Sequence, residues 1–310
     1  MKKTACLLVL LMLIMASGCT NFSRADSPAQ PNPVTNTAPE SPLEAKEPSP
    51  AEPPDSGDTS TEAPLSPDSG TSPGTPASQP AAQSAAAKSW YFKPNNNHET
   101  PQVDAAVHPM AQEGTVYYAL PQNAPKIYLT FDEGYEQGYT GQILDILKEY
   151  NVPAVFFITG HYLKSQPDLV KRMVAEGHQV ANHTYNHPDL SQVSRERFDK
   201  ELEQLEQEFQ QLTGSKMAPF LRPPMGNYSL TTLQWAKERN YKTVFWSMAF
   251  HDWDPNNQPG ADYSHRYVIE HIHPGAVILL HAVSESNTQA LPRIIEDLRA
   301  AGYEFAPLPE

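Results

Sequence analysis

The sequence predicts an α/β fold, a distorted (β/α)7–8 barrel with parallel strands, that is preceded by a disordered tether. Three observations lead to this prediction. Proline is concentrated near the N-terminus, strand-like and helix-like segments alternate over the C-terminal part of the chain, and polar side chains recur where the predicted strands end. Together they imply one folded domain that is much smaller than the 310-residue chain.

The predicted tether is defined by its composition. Residues 20–88 hold 14 of the 31 prolines and a single aromatic side chain, Phe22. A segment of this kind cannot bury enough apolar surface to fold, so we expect an extended, solvated linker over residues 19–88. The remaining stretch of about 220 residues is long enough for one large α/β domain.

The N-terminus predicts export and attachment to a membrane. Lys2 and Lys3 precede an apolar run over residues 5–16, which is too short to span a bilayer and fits a secretory signal at residues 1–18. The following Cys19, preceded by small residues, resembles the lipidation site of bacterial lipoproteins. This resemblance implies an extracytoplasmic protein that a lipid anchors to the cell membrane of a Gram-positive-type bacterium. An ordinary signal peptide with a chance cysteine is the alternative.

Charge and cysteine content exclude several classes of function. The formal net charge is −14, and the folded part has no basic cluster, so we expect no nucleic-acid partner. Both cysteines, Cys6 and Cys19, precede the folded part, which therefore has neither a disulfide nor thiol chemistry. We expect a monomer.

Strand-like and helix-like segments alternate from residue 126 onwards. Each predicted strand is a short β-rich run, and the first predicted helix repeats apolar residues such as Ile143 and Leu147 at helical spacing. The predicted strands are 126–131, 153–159, 178–182, 219–222, 242–247 and 276–280. The predicted helices are 139–150, 163–176, 194–213, 229–240, 263–272 and 286–302. Such a series indicates a parallel sheet, in a barrel or in a doubly wound arrangement.

Polar side chains at the ends of the predicted strands favour the barrel. They are Asp132, His183, Arg222, Asp252 and His281. In a βα barrel the carboxyl ends of the strands surround one pocket, which would bring these residues together. Their common position predicts an active site.

The residue types suggest hydrolytic chemistry. Asp132 and Glu133 are adjacent carboxylates, and His183 and His187 are four residues apart, a spacing that lets both imidazoles face one side of a helical turn and bind one metal. Two histidines and one carboxylate make a three-ligand site that activates water. The second carboxylate can then take a proton, and His281 can act as general acid. The alternatives are a solvated acidic loop and histidines that are hydrogen-bonded to backbone.

Five segments resemble, in order and spacing, the motifs of the polysaccharide deacetylases, carbohydrate esterase family four. They are Thr130-Phe-Asp-Glu-Gly134, His183-Thr-Tyr-Asn-His187, Arg222-Pro-Pro-Met-Gly226, Asp252-Trp253 and Leu279-Leu280-His281. The resemblance covers nearly the whole folded part. It implies a catalytic domain at residues 123–310, with residues 89–122 as an N-terminal extension.

The resemblance also implies roles for particular residues. Asp132 is the catalytic base and His281 the acid, Arg222 holds Asp132, and Asp252 bonds His281. The implied ligands of a divalent metal, expected to be zinc, are Glu133, His183 and His187. The implied substrate contacts are the backbone N–H of Met225, for the oxyanion, and the side chains of Trp253 and Leu279.

Three positions depart from the family pattern. Glu133 stands where the family has aspartate. The extra methylene moves the carboxyl oxygens by more than ~1 Å, and a metal site tolerates little displacement of its ligand atoms. Met225 replaces a tyrosine or arginine, which suggests a different substrate subsite. Ala249 stands where the motif around Asp252 begins with another aspartate.

Other segments resemble one branch of the family, the delta-lactam-biosynthetic de-N-acetylases. They are 134–140, 160–169, 244–250 and 273–275. This resemblance implies deacetylation of N-acetylmuramic acid in peptidoglycan glycan strands, during maturation of the spore cortex. The alternatives are deacetylation of N-acetylglucosamine in peptidoglycan or another polysaccharide, and a non-catalytic lipoprotein that binds the cell wall. The sequence contains neither a GxxxxGK[ST] loop nor a GxGxxG turn, which disfavours a nucleotide enzyme.

Overall fold

A computed structural model describes residues 86–120 and 125–310 of the chain. The predicted signal peptide, Cys19 and nearly all of the predicted tether lie outside the described residues. Among the helices of the described part, none is both long and apolar enough to cross a membrane.

The described residues form short strands and helices in alternation. The strands are β1 (Lys88–Ser89), β2 (Phe92–Lys93), β3 (Gln102–Val103), β4 (Val116–Tyr117), β5 (Lys126–Glu133), β6 (Ala154–Ile158), β7 (Gln179–Asn182), β8 (Phe220–Leu221), β9 (Asn227–Tyr228), β10 (Lys242–Val244), β11 (Val277–His281) and β12 (Glu304–Phe305). The α-helices are α1 (His108–Gln112), α2 (Thr140–Glu149), α3 (Gly160–Ser165), α4 (Pro167–Ala175), α5 (Arg195–Thr213), α6 (Leu230–Glu238), α7 (Ala261–His271) and α8 (Glu285–Ala300). Single turns of 3₁₀ helix occur at Ala105–Val107, Leu190–Gln192 and Pro224–Gly226.

One curved sheet organises the domain. Its strand order is β11-β5-β6-β7-β8-β10-β4, all neighbours pair in parallel, and β12 adds to the start of β5. Two backbone bridges join its edges, a parallel one between Met248 and Ile278 and an antiparallel one between Ala119 and Ala276. This arrangement confirms the predicted distorted (β/α)7–8 barrel.

The alternation of side chains along β5 separates an inner from an outer layer. Ile127 and Phe131 belong to the large apolar cluster that also contains residues of α2 and α8, so they face the helices. Tyr128 belongs to a second cluster with residues of the neighbouring strands, and Asp132 lines a cleft at the end of the barrel. Successive residues of a strand point to opposite faces, so even-numbered positions of β5 face inward and odd-numbered positions outward.

Most predicted elements are observed with ends shifted by one or two residues, and three differences matter for the fold. The predicted helix 163–176 is two helices, because Pro167 begins α4 and the backbone of Gln166 is not helical. The first strand continues to Glu133, and the fifth ends at Val244 instead of residue 247. Beyond it, the N–H of Ser247 donates to the Val277 carbonyl (3.1 Å), so the chain turns towards β11.

Local signals account for the ends of the long helix α5. The hydroxyl of Ser194 accepts the N–H of Arg197 (3.2 Å) and caps the first turn. Gly214 ends the helix in the left-handed conformation, with φ of +73°, which glycine adopts without steric cost.

The N-terminal extension packs along the barrel. β4 pairs with β10, and β1 pairs with β9. Trp90 stacks on Phe245 with a centroid separation of 4.3 Å, and its indole N–H donates to the Trp246 carbonyl (2.9 Å). The part of residues 89–122 that the structure describes is therefore integral to the fold.

Candidate active site

A cleft of about 1010 Å³ opens at the carboxyl end of the barrel strands. The sequence-predicted site residues that line it are Asp132, His183, His187, Met225, Trp253, Leu279 and His281. Arg222 and Asp252 lie behind two of these residues and contact them directly. Glu133 does not line the cleft.

Arg222 holds Asp132 from beneath. Its guanidinium is fully buried, and its Nη1 donates to Asp132 Oδ1 at 2.6 Å. Nη2 donates to the hydroxyl of Thr130 (2.9 Å) and Nε to the carbonyl of Val244 (3.1 Å), while the ring of Phe157 lies 4.0 Å from the guanidinium carbon. With both terminal nitrogens and Nε bonded, the guanidinium has one orientation, and it fixes the carboxylate of Asp132.

The environment of Asp132 favours the ionised form. Burial alone would raise the pKa of Asp132, but the charge of Arg222, followed by His183 and His281, outweighs burial and holds the pKa below its ordinary value. The carboxylate is therefore an available proton acceptor at neutral pH.

His281 is the cross-strand neighbour of Asp132. The two residues are Cα partners in the parallel register of β11 and β5, which places their backbones about 4.8 Å apart. Val277, Leu279 and His281 share the inward face of β11, as Asp132 does on β5. Register thus brings a carboxylate and an imidazole side by side at the bottom of the cleft.

Asp252 orients His281. Nδ1 of His281 lies 2.7 Å from Asp252 Oδ1, and its backbone N–H donates to Oδ2 (3.0 Å). Asn287 also donates to Oδ2, at 2.5 Å. Because Nδ1 faces a carboxylate, it carries a proton, and Nε2 is the nitrogen left for the cleft. Burial lowers the pKa of His281, but the charge and hydrogen bond of Asp252 outweigh burial and raise it overall.

The two remaining predicted histidines, His183 and His187, lie next to each other in the lining of the cleft. The rings of His183 and His187 are 4.8 Å apart between centroids, and Nδ1 of His183 lies 2.8 Å from the carbonyl of Arg222. That carbonyl is an acceptor, so Nδ1 of His183 carries the proton and Nε2 is directed towards Asp132 Oδ2, at 3.6 Å. Burial lowers the pKa of His183 to about 4 and also lowers the pKa of His187. Both imidazoles are neutral at pH 7.

The loop that carries these histidines is not the helical turn that their spacing suggested. Thr184 and His187 have φ of +67° and +56°. Side chains hold this conformation: the N–H of Thr184 donates to Asn182 Oδ1 (2.8 Å), and the N–H of Asn186 donates to Glu201 Oε2 (2.7 Å). The left-handed residues, rather than helical periodicity, place the two rings on one side.

Glu133 is not grouped with the histidines, which corrects the predicted ligand set. Its side chain is fully buried, and both carboxyl oxygens lie 3.4 Å from the hydroxyl of Thr140 at the start of α2. The predicted strand ended at residue 131, but β5 continues through Asp132 and Glu133, so the two side chains point to opposite faces.

The charge state of Glu133 agrees with this placement. Burial, the nearby Glu136 and Asp132 raise the pKa of Glu133 well above its ordinary value, which favours the neutral form of the buried carboxyl. Among the described residues, no group of three or more His, Cys, Asp or Glu side chains is arranged to hold a metal ion. The residues present therefore do not fit the three-ligand site that the sequence predicted.

Met225 and Trp253 form part of the rim of the cleft. The two residues are 59% and 53% exposed. Met225 and Gly226 both have left-handed backbone, with φ of +57° and +69°. A β-carbon at Gly226 would come within 3.0 Å of Trp90 and Trp246, and the Gly226 carbonyl accepts the N–H of Trp90 (2.8 Å). The N-terminal extension therefore supports the loop that carries Met225.

Sequence reasoning missed several residues of this site. Thr130 lies two positions before Asp132 on the same strand, so period-two alternation alone puts it on the inward face and marks it as a neighbour. Asn287 has no such signal, because it reaches Asp252 from the start of α8. Trp90 and Trp246 were not assigned to the site, since their contacts with the Met225 loop join distant parts of the chain.

Comparisons with known proteins agree with this geometry. Residues 119–244 match the model of the family described as polysaccharide deacetylase. The peptidoglycan-N-acetylmuramic acid deacetylase PdaA of Bacillus subtilis (strain 168) is 43% identical over 216 residues, which are 70% of this chain and 82% of that protein. A peptidoglycan-N-acetylglucosamine deacetylase of Bacillus cereus is 38% identical over 197 residues, 62% of this chain and 70% of that protein.

A solved structure is similar over most of the domain. The structure of Bacillus subtilis PdaA, described as a family 4 carbohydrate esterase, superposes with a TM-score of 0.69 at 42% identity. The match covers 71% of this chain and 94% of that chain.

Proposed function

The chain belongs to the polysaccharide deacetylase family of carbohydrate esterases, and from this membership we propose that it removes the acetyl group of N-acetylmuramic acid in peptidoglycan glycan strands. One observation supports this reaction most directly. Asp132 and His281 are cross-strand neighbours, and each is oriented by a buried partner of opposite charge: Arg222 for Asp132 and Asp252 for His281. A carboxylate base and a histidine acid can supply the two proton transfers that accompany hydrolysis of an amide. The identity with PdaA supports muramic acid as the sugar.

The proposed reaction uses these groups in sequence. Asp132 takes a proton from water as the water oxygen bonds to the acetyl carbonyl carbon. The backbone N–H of Met225 donates to the oxyanion that forms, and Trp253 and Leu279 line the pocket for the acetyl group and the sugar. His281 then gives its proton to the sugar nitrogen as the C–N bond breaks. The products are acetate and the free amino sugar.

Acetate release tests this proposal. We expect the purified full-length protein to release acetate from glycan strands that have been stripped of peptide. Asp132→Asn should reduce the rate at least about 100-fold, because a general base typically contributes that much or more. Equal acetate release by the variant and the wild type would overturn the proposal.

Deacetylation of N-acetylglucosamine is the second candidate, favoured by the similarity to the Bacillus cereus enzyme. Mass spectrometry of digested glycan, which shows which sugar has lost its acetyl group, distinguishes the two. A wall-binding protein without activity is the third candidate, and turnover that disappears in His281→Ala would exclude it.

We also propose that the enzyme uses a divalent metal ion, expected to be zinc. Carbohydrate esterases of this family are generally metalloenzymes, and His183 and His187 have the neutral imidazoles that such an ion binds. A bound ion would polarise the acetyl carbonyl as a Lewis acid. Acetate release before and after treatment with a chelator tests the need for it. Unchanged turnover would mean that the acid and base act without it.

We further propose the location and setting that the N-terminus suggests. A lipid on Cys19 would anchor the enzyme at the outer face of the membrane, and residues 19–88 would let a monomeric domain reach the wall glycan. Formation of muramic delta-lactam in the spore cortex is the proposed process. Cys19→Ser should move the protein from the membrane fraction to the medium, and retention in the membrane would contradict a lipid anchor.

A further inference from the structure

Lys164 is the one lysine or arginine among the described residues that line the cleft. It lies on α3, which follows β6, and β6 pairs with the strand that carries Asp132. Asp132 is the one carboxylate in the same lining. The cleft therefore has a negative group at its reacting centre and a single permanent cation in its wall.

The ammonium group of Lys164 is exposed in the cleft wall and interacts with two neighbours, Glu208 and Tyr185. Its side chain is 62% exposed, and Nζ lies 3.8 Å from Glu208 Oε2, which is beyond hydrogen-bond distance. Glu208 is also occupied by the hydroxyl of Tyr185, at 2.8 and 3.0 Å from its two oxygens. An exposed ion pair of this length contributes little, and an ammonium group has three protons to donate.

The backbone of α3 is fixed relative to the catalytic groups. The N–H of Gly160, at the start of α3, donates to the carbonyl of Tyr185 (3.0 Å), and a β-carbon at Gly160 would lie 2.4 Å from the Tyr185 ring. Tyr185 lies between His183 and His187, and Nζ of Lys164 is 4.8 Å from the centroid of its ring. Lys164 is thus held beside the histidine loop that lines the cleft.

N-acetylmuramic acid carries a matching anion. It differs from N-acetylglucosamine by a lactyl ether, which ends in a carboxylate and is attached to the ring carbon next to the one that bears the acetamido group. Lys164 lines the same cleft as Asp132 and His281, so with the acetamido group at these two residues the cleft would also have to accommodate the carboxylate on the adjacent ring carbon. Arg222 is fully buried and already bonds Asp132, so it cannot receive a second carboxylate.

We infer that Lys164 binds the lactyl carboxylate of N-acetylmuramic acid and so selects this sugar over N-acetylglucosamine. The inference rests on the proposed function and adds the residue that determines its specificity. Without the ammonium group, the carboxylate would lie near the ionised Asp132 with no partner, and a like-charge contact of this kind discriminates against a ligand.

The test compares one chemical change on the substrate with one on the enzyme. Full-length protein is given three substrates: peptide-free glycan strands, the same strands after conversion of their lactyl carboxylates to amides, and N-acetylglucosamine oligomers. The variants are Lys164→Gln, Lys164→Arg and the control Lys171→Gln. Lys171 lies on α4 outside the cleft and pairs with Asp168 at 3.6 Å.

We expect amidation to reduce kcat/KM of the wild type about 10- to 100-fold, as for loss of a hydrogen bond to a charged group. On strands with free lactyl carboxylates, Lys164→Gln should have a kcat/KM lower than that of the wild type by the same factor. On amidated strands, its kcat/KM should equal that of the wild type. The variant should therefore no longer distinguish free-acid strands from amidated strands. Equal rates on amidated strands also show that the variant is folded. Lys164→Arg should keep most of the preference, and Lys171→Gln all of it.

Two results would overturn the inference alone. One is a Lys164→Gln variant that still prefers the free acid as strongly as the wild type does, and the other is an equal loss on all three substrates, which would mark a structural role. A wild-type enzyme that deacetylates N-acetylglucosamine oligomers but no muramic residues would overturn the proposed function, and this inference with it.

Discussion

Substitutions of Glu133 distinguish two possible roles of this residue, a buried neutral acid and a metal ligand. As a buried acid that accepts the Thr140 hydroxyl, Glu133 is well mimicked by glutamine, which has the same shape and a carbonyl acceptor. Aspartate, which the family has at this position, shortens the side chain and leaves a small void. We therefore expect Glu133→Gln to be tolerated better than Glu133→Asp. A metal ligand predicts the reverse order, because aspartate keeps an ionised oxygen and glutamine does not.

The structure sets the size of these effects. Glu133→Gln should change the free energy of unfolding at pH 5 by no more than about 1 kcal/mol, since one neutral hydrogen bond is kept. Glu133→Asp should cost about 1–2 kcal/mol, through the lost methylene and the misplaced carboxyl. Acetate release by Glu133→Gln should stay within about tenfold of the wild type, a change of about 1.4 kcal/mol in the activation barrier.

A pH series provides an independent readout. The folded-state pKa of Glu133 lies above the ordinary value of 4.5, so the folded protein keeps a proton that the unfolded chain releases. The associated stability is complete below pH 4.5 and falls, by up to about 1.4 kcal/mol per pH unit, as pH rises towards the folded pKa. Glutamine cannot titrate. In urea unfolding, the free energy of unfolding of Glu133→Gln should therefore rise relative to that of the wild type as the pH increases from 5 to 7.

Parallel stability profiles for the wild type and Glu133→Gln would refute the neutral-acid assignment. So would a Glu133→Gln enzyme that loses activity more than about 100-fold while Glu133→Asp is active and sensitive to a chelator.

Three further substitutions test the partner of the acid, the partner of the base and the packing of the N-terminal extension. Asp252→Asn removes the charge that raises the pKa of His281, so the alkaline limb of the pH–rate profile should move to lower pH; an unmoved limb would contradict the assigned acid. Arg222→Met leaves the Asp132 carboxylate buried without its cation, which should cost about 3–5 kcal/mol in urea unfolding and move the acid limb to higher pH; a wild-type profile would refute this. Trp90→Ala should destabilise the domain by about 3–5 kcal/mol and lower kcat, whereas wild-type stability would mean that the extension is dispensable.

The sequence alone was sufficient for the architecture because that information is local. β-rich runs alternate with helical periodicity, and parallel strands in such a series must bring their carboxyl ends to one face. The positions of Asp132, His183, Arg222 and His281 at strand ends are therefore enough to predict that they lie together. Their motifs also sufficed to identify the family, which the comparison with PdaA confirms.

The tertiary structure decided which side chains share a face and which partners hold them. The sequence placed Asp132 and Glu133 together, but the strand continues through both, so pleating turns Glu133 to the helix layer. The exposure of Lys164 beside Glu208 and the contact of Asn287 with Asp252 likewise depend on elements far apart in the chain. Residue types and spacing thus determine which chemistry is available, whereas the end of a strand and the packing of helices on it determine which groups meet.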